Sequence, residues 1–302
     1  MAEPSAPSES SGQDGAPTVK PAAAADPTDE TVAATAETPR RRWLGFPSLR
    51  TIGLLPLILI GLLLVYYIGG MLWLTNVDDD VEFGLPSTAP EGGSLAVAVA
   101  ADLIDREVNT HRWVGNDPFF LPGSMLDNMP NYQQGIITAL FRFASELRDE
   151  IARTRGSSAE DADAKAIASY LAYEGDIWIF DFKTSWAPTA PSENRYREGM
   201  NALRRFNTRL ESGDAMFEAR ADNLQTTIDK FTSDIGSASA AIERHLRDRS
   251  GWLPDFQADD LFYANKGRLY AYYLLMRALR EDFSKVITEK DLGNAWRLTL
   301  ES

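Results

Sequence analysis

Ile52-Gly-Leu-Leu-Pro-Leu-Ile-Leu-Ile-Gly-Leu-Leu-Leu-Val-Tyr-Tyr-Ile-Gly-Gly-Met-Leu-Trp-Leu74 is a run of 23 residues without a charge. At 1.5 Å rise per residue it makes about 34 Å of helix, enough to cross a bilayer core of about 30 Å with some tilt. Arg40, Arg41, Arg42 and Arg50 precede it, whereas Asp78, Asp79, Asp80 and Glu82 follow it, with no Lys or Arg until Arg106. Basic flanks set orientation, so the N-terminal side is expected to stay in the cytoplasm and the remainder to cross. Trp43 and Trp73 fall near the two expected interfaces, where indole rings settle well. A cleaved signal peptide has a shorter leader, a shorter apolar core and a small-residue cleavage site. Thr75-Asn76-Val77 does not supply one, so the segment reads as an uncleaved anchor.

The anchor divides the 302 residues into parts. Residues 1–42 are rich in Ala, Pro, Ser, Thr and acidic side chains. They cannot bury enough apolar surface to offset ordering entropy and read as a disordered cytoplasmic tail. Residues 43–76 are the anchor and its flanks. Residues 77–93 read as an acidic linker whose Asp78–Asp80 run is a solvated patch. Residues 94–302 read as one mainly α-helical domain, an antiparallel bundle with one irregular Pro- and Asn-rich loop.

Composition narrows the function classes. Residues 1–50 hold 5 of the 30 Lys and Arg and 7 of the 44 Asp and Glu, leaving the rest at 25 against 37. Such an acidic body is a poor partner for nucleic acid. The absence of cysteine removes disulfides, thiolate nucleophiles and Cys-ligated metals. No Asn-x-Ser/Thr acceptor follows the span. Both absences point to a bacterial inner membrane with the body in the periplasm.

Within the body, Ser94 is expected to cap a helix that carries Val97, Ala101, Ile104 and Val108 on one face. Pro118, Pro122 and Pro130 interrupt the stretch from Trp113 to Asn131. Asn131, with Gln134 three residues on, is expected to cap the next helix, whose stripe is Ile136, Leu140, Phe143, Leu147 and Ile151 and whose end falls near Arg155-Gly156. Ser158 and Asp161 offer a capping pair for a short helix to Tyr170. Ile177–Phe182 reads as an extended buried segment, since no partner strand is evident. Ser192–Ser212 is helical, with Gly213 at its C-terminal turn and Asp214 as the next N-cap. That short connection predicts two antiparallel neighbours. The second carries Phe217, Leu224, Phe231 and Ala238 at one heptad position, and Ala221, Ile228, Ile235 and Ile242 at the other. Such a seam must be covered along its length. The preceding helix is expected to cover part, and a final helix from Asp259, with Leu261, Leu269, Tyr272, Leu275, Leu279 and Phe283 inward, the rest. Trp296 and Leu300 extend the packing. This arrangement makes the body a monomer.

Chemical motifs are sparse. His111 and His245 lack the spacing of a zinc pair, and each sits where a helix end favours partial positive charge. No nucleophile elbow, phosphate loop or dinucleotide fingerprint is present, so no cofactor or metal is implied. Asp161-Ala-Asp163 fails as a calcium loop at Lys165, Ala166 and Ala172. The remaining ligand-cleft candidates are Asn116, Asp117, Asp127, Asn128 and Asn131, polar groups set among Trp113, Phe119 and Phe120. Against that reading, Asx residues commonly cap turns while aromatics fill a core.

Five phrases carry a resemblance: Asn116-Asp-Pro-Phe-Phe-Leu-Pro-Gly, Leu126-Asp-Asn-Met-Pro-Asn, Trp178-Ile-Phe-Asp, Arg220-Ala-Asp-Asn-Leu and Ala258-Asp-Asp-Leu-Phe-Tyr. Together they resemble bacterial membrane-anchored proteins of domain-of-unknown-function family 2333, from the anchor to the C-terminus. The resemblance implies a bacterial envelope protein and supplies no catalytic residue. Two function classes follow. One is a non-catalytic scaffold that contacts lipid through Ile52–Leu74 and binds envelope proteins or the cell-wall layer. The other is a carboxylate-based hydrolase of a periplasmic glycan or peptide. The scarcity of catalytic motifs favours the first. Topology is the first test. A reporter fused after Ser302 is expected to be active only across the membrane, and cytoplasmic activity would contradict the charge argument.

Overall fold

The computed structural model describes residues 49–84, 91–152, 160–182, 186–248 and 256–301. The tail, Trp43, Arg155-Gly156 and Ser158 lie outside them. Nine α-helices and no strand occur among the described residues. Helix α1 (Leu49–Leu74) holds the apolar run and is long and apolar enough to cross a membrane. The others are α2 (Leu95–Asp105), α3 (Asn128–Glu146), α4 (Ala162–Leu171), α5 (Ser192–Ser212), α6 (Ala221–Asp248), α7 (Phe256–Asp282), α8 (Ser284–Glu289) and α9 (Gly293–Glu301).

The bundle centres on α3 and α7, with α2 against α5 and α7, α4 against α5 and α3, and α6 against α7 and α3. Two glycines let the central pair approach until backbone meets backbone. Gly135 lies against the carbonyl of Ala264, and Gly267 against the carbonyl of Tyr132. A methyl group at either position would overlap that carbonyl. The expected stripe of α3 is wholly inside, since Ile136, Leu140, Phe143, Leu147 and Ile151 are all fully buried. In α7, Tyr272, Leu275, Leu279 and Phe283 are buried as expected. Leu269 instead faces solvent, and Ala271, Leu274 and Ala278 take up the inner face.

Caps decide several boundaries. Ser94 caps α2 by accepting from the Val97 N–H at 3.2 Å. Distant helices hold it there. The Asn207 side chain accepts from the Ser94 N–H at 2.7 Å and donates to its carbonyl at 3.1 Å. The Asp282 carboxylate, at the end of α7, accepts from the Ser94 hydroxyl and from the Leu95 and Ala96 N–H groups. Burial pushes the Asp282 carboxyl up, and those donors partly offset the push. Asp127, not Asn131, caps α3. Pro130 sits in its first turn, where an N–H would have no partner in the helix. Asp161 caps α4, accepting from the Asp163 and Ala164 N–H groups.

Helices α5 and α6 are not the hairpin expected from sequence. Gly213 takes the left-handed turn at φ 79°, as its position suggested. Asp214 then starts no helix, because residues 214–220 form a non-helical connection. That connection carries α6 away from α5 and onto α7 and α3. Leu224, Thr227, Phe231 and Ala238 are buried there, while Ile228, Ile235 and Ile242 are half-buried. Phe231 stacks on Tyr272 at 4.4 Å. Asp234 accepts from the Tyr272 hydroxyl at 2.8 Å and pairs with Arg142 at 3.3 Å and Arg268 at 3.4 Å. Trp296 on α9 is buried and Leu300 packs on the core, as expected.

The acidic segment after α1 is not a merely solvated patch. The Asp78 carbonyl accepts from Arg106 at 3.0 Å and from the Tyr132 hydroxyl at 2.5 Å. The Asp80 carbonyl accepts from the Tyr270 hydroxyl at 2.7 Å. Arg277 donates to the carbonyls of Val81 and Phe83. Asp79 pairs with Lys266 at 2.8 Å, and that contact holds its carboxyl below the usual range. The strand of chain leaving α1 is thus laid across α3 and α7 and fastened there.

The glycine contact is open to measurement. Gly267→Ala is expected to destabilise by about 3 kcal/mol or more, because the overlap is with a helix backbone. Gly236→Ala on exposed α6, where nothing lies within 4 Å, is expected to be neutral or stabilising by up to about 1 kcal/mol. Denaturant unfolding of the full chain would check both.

Candidate functional site

The five polar candidates fall into two separate groups. The first forms around Trp113, which is buried, donates from its indole nitrogen to the Gly175 carbonyl at 2.9 Å and meets Tyr196 edge to face at 4.8 Å. Beside it the buried Asn116 amide donates to the Ile177 carbonyl at 2.8 Å and to Glu193 at 2.6 Å. Asn116 therefore ties the loop to the chain entering α5. Asp117 pairs with Arg112 at 2.7 Å, and its second oxygen is buried against Gly123 without a hydrogen-bond partner. Burial pushes its carboxyl up; Arg112 opposes this and the nearby Glu193 adds to it. Among the five, Asp117 is the carboxyl that burial shifts.

The second group lies at the start of α3. Asp127 accepts from the Asn128 N–H at 2.9 Å and remains exposed. The Asn128 amide, oriented to suit its neighbours, donates to Asp259 at 2.6 Å and to Asp127 at 3.2 Å. Asn131 donates to Asp260 at 2.7 Å and to the Asp127 carbonyl at 2.9 Å. Burial, and then the charges of Asp127 and Asp259, push the Asp260 carboxyl up. These three residues fasten the N-terminal ends of α3 and α7 together.

A groove of about 560 Å³ lies between α3, α4 and α5 and is lined by Gln134, Phe141, Tyr173, Glu174, Asp176 and Tyr196 among others. None of the five candidates lines it. Phe119 and Phe120 do not fill the core as aromatics in such a loop were expected to; they face outward.

Sequence reasoning missed the most concentrated polar cluster. At the end of α2 the helix widens into a π-turn over Arg106–Thr110, closed by the His111 N–H on the Arg106 carbonyl at 2.8 Å. The turn places Arg106 and Glu107 side by side in the interior. Arg106 bonds Glu107 at 2.8 Å and the Tyr270 hydroxyl at 2.8 Å, and pairs with Asp78 at 3.3 Å. Burial alone would push the guanidinium down; Glu107, Tyr270 and Asp78 more than offset it. Gln133 donates to the Glu107 carbonyl and the Arg112 carbonyl at 3.0 Å each. His111 lies 3.5 Å from Glu107 and 3.9 Å from Asp78. The one signal in the sequence was Gln133, a polar residue beside an apolar stripe. Among the described residues, no group of three His, Asp or Glu side chains is arranged to hold a metal ion.

The loop, the Asn116 tether and the capped start of α3 all fall in a region that one family profile covers, residues 86–251. The chain belongs to domain-of-unknown-function family 2333. The family's description is an uncharacterized protein conserved in bacteria. Its matched span takes in α2 to α6 and stops before α7, which supplies half of the central helix pair. No curated protein and no solved structure matches the chain.

The raised Asp117 carboxyl sets a pH dependence. A folded-state value above the unfolded 3.8 means the folded protein holds the proton more tightly. Stability from this group is present at low pH and is lost as pH rises from about the unfolded value through the folded one. Asp117→Asn removes the ionisation, so its melting temperature relative to the parent is expected to rise between about pH 4 and pH 7. A constant difference across that range would show that folding does not shift the Asp117 carboxyl, and would overturn the reading.

Proposed function

We propose that this protein is a non-catalytic scaffold of the bacterial envelope, anchored in the inner membrane by α1 with its monomeric helical body in the periplasm. The observation that carries this reading is where the buried charge is spent. Arg106, Glu107, Asp78, Tyr132 and Tyr270 join the chain leaving α1 to α2, α3 and α7 and spend their polar groups on one another. A protein that must hold a binding surface at a set distance and angle from the bilayer needs a stiff junction to its anchor. The orientation argument from Arg40–Arg42 and Arg50 supports the periplasmic side. Four of the five polar candidates, Asn116, Asp127, Asn128 and Asn131, support the same reading, since they serve as caps and tethers.

Affinity capture of the full chain from detergent-solubilised membranes is the test. A reproducible protein partner is expected, retained equally by Asp117→Asn and Asp127→Asn. If the purified chain instead cleaves a cell-wall glycan or peptide and Asp127→Asn abolishes the cleavage, the hydrolase reading replaces this one.

A further inference from the structure

Six aromatic side chains outside the core meet in one unbroken series. Phe119 and Phe120 lie edge to face at 5.4 Å between centroids, and Phe120 and Trp178 at 5.6 Å. Trp178 meets Phe180 at 5.8 Å, Phe180 stacks on Phe182 at 6.1 Å, and Phe182 meets Trp186 at 5.4 Å. Phe119 is 82% exposed, Phe182 64% and Trp186 86%; Ile179 beside them is also exposed. Two segments about sixty residues apart build the series, and the Asn116 bond to the Ile177 carbonyl locks them together. Ile177–Phe182 is therefore not the buried segment its composition suggested. Contiguous exposed apolar surface of this kind marks a contact with something apolar.

Its position indicates what. The Tyr67 hydroxyl donates to the Phe119 carbonyl at 2.7 Å, and the Tyr66 hydroxyl to the Phe120 carbonyl at 3.2 Å. Gly70 lets the ring of Pro122 seat directly on α1, where a Cβ would collide with it. The loop thus touches α1 seven to eight residues before Leu74, about 11 Å back along the helix axis. A crevice of about 430 Å³ remains between them, lined by Tyr66, Gly69, Trp73, Leu121 and Pro122, with Arg112 also on its wall. The aromatic series is therefore continuous with the apolar surface of the span itself.

We propose that this series is a second membrane contact: Phe119, Phe120, Phe180, Phe182 and Trp186 enter the boundary between headgroups and acyl chains on the side where α1 emerges, and seat the body on the bilayer. The proposal rests on the reading that α1 spans the membrane. Aromatic rings partition to that depth, about 5–10 Å into the boundary. Loop backbone can approach hydrocarbon only when its polar groups are satisfied. The Tyr66 and Tyr67 hydroxyls do this for the two carbonyls nearest the span. Asp176 precedes the second segment, and Asp181 and Lys183 within it cancel, so no net positive charge draws the segment to anionic lipid and the attraction is apolar. Neutral phosphatidylcholine is sufficient.

The chain contains no cysteine, so single spin labels can be placed cleanly. Full-length Phe119→Cys, Trp186→Cys, Leu59→Cys and Gly236→Cys are labelled and placed in phosphatidylcholine nanodiscs at one chain per disc. Collisions with oxygen, which enters lipid, are compared with those of a water-soluble nickel chelate. Labels at 59, 119 and 186 are expected to favour oxygen and to meet the chelate several-fold less often than the label at 236. Adding anionic lipid is expected to leave the pattern unchanged. If 119 and 186 behave like 236 while 59 remains deep, the proposal fails and the anchor stands. If 59 also meets the chelate freely, the spanning reading fails and the proposal with it. Protection of 119 and 186 that appears only at two chains per disc would assign the surface to a second copy and overturn the lipid contact.

Discussion

A guanidinium with 6% of its surface exposed sets the plan of this protein. Removing Arg106 from water is tolerable only if acceptors surround it, and no single helix supplies them. Glu107 comes from the same π-turn, the Tyr270 hydroxyl from α7, and the Asp78 carbonyl and carboxylate from the chain leaving α1. Phe83 covers the cation from above at 4.5 Å. The Tyr132 hydroxyl from α3 takes the same Asp78 carbonyl. One buried charge therefore obliges α2, α3, α7 and the chain leaving α1 to meet at one point. Burial pushes the Tyr270 hydroxyl up to about 12, so it stays a neutral donor and acceptor throughout the physiological range.

Around this point the packing is unusually close. Gly135 and Gly267 bring α3 and α7 to backbone contact, which shortens the distance across which Tyr132 and Tyr270 must reach. The start of α2 is then held by the buried Asn207 from α5 and the half-buried Asp282 from α7, whose side-chain bonds are directed at Ser94 and its neighbours. Stiffness at both ends of α2 follows. On the proposed scaffold reading, a body fixed in this way turns with α1 and presents its surface at a defined height above a bilayer. The proposed aromatic contact would add a second point of attachment, and two points define an orientation where one span leaves rotation free.

Much of this was legible from local pattern. The run Ile52–Leu74, the stripe from Ile136 to Ile151, the Ser94 cap and the left-handed Gly213 turn each follow from spacing and residue type, because helix periodicity and caps are local physics. The caps that failed did so for local reasons too. Asp127 outcompeted Asn131 because Pro130 is welcome in a first turn. Of the polar candidates, Asn116 and Asp117 lie in the loop that follows Trp113, whereas Asp127, Asn128 and Asn131 belong to a different junction. Their partners, Asp259 and Asp260, are more than a hundred residues away and no spacing rule connects them.

The sequence by itself determined that there is an apolar span, that the body is helical, and which faces of α2, α3 and α7 are largely inward. Each of these is a property of residues within a few turns of one another. Only the tertiary structure decided that α6 leaves α5 for α7 and α3, because the path of the non-helical residues 214–220 depends on where an apolar face finds room. It alone paired Arg106 with Asp78, since that charge lies across three helices. It alone turned the aromatics of two distant loops outward beside α1. In sequence an exposed ring and a buried one look the same; the difference lies in which surface the rest of the chain has already filled.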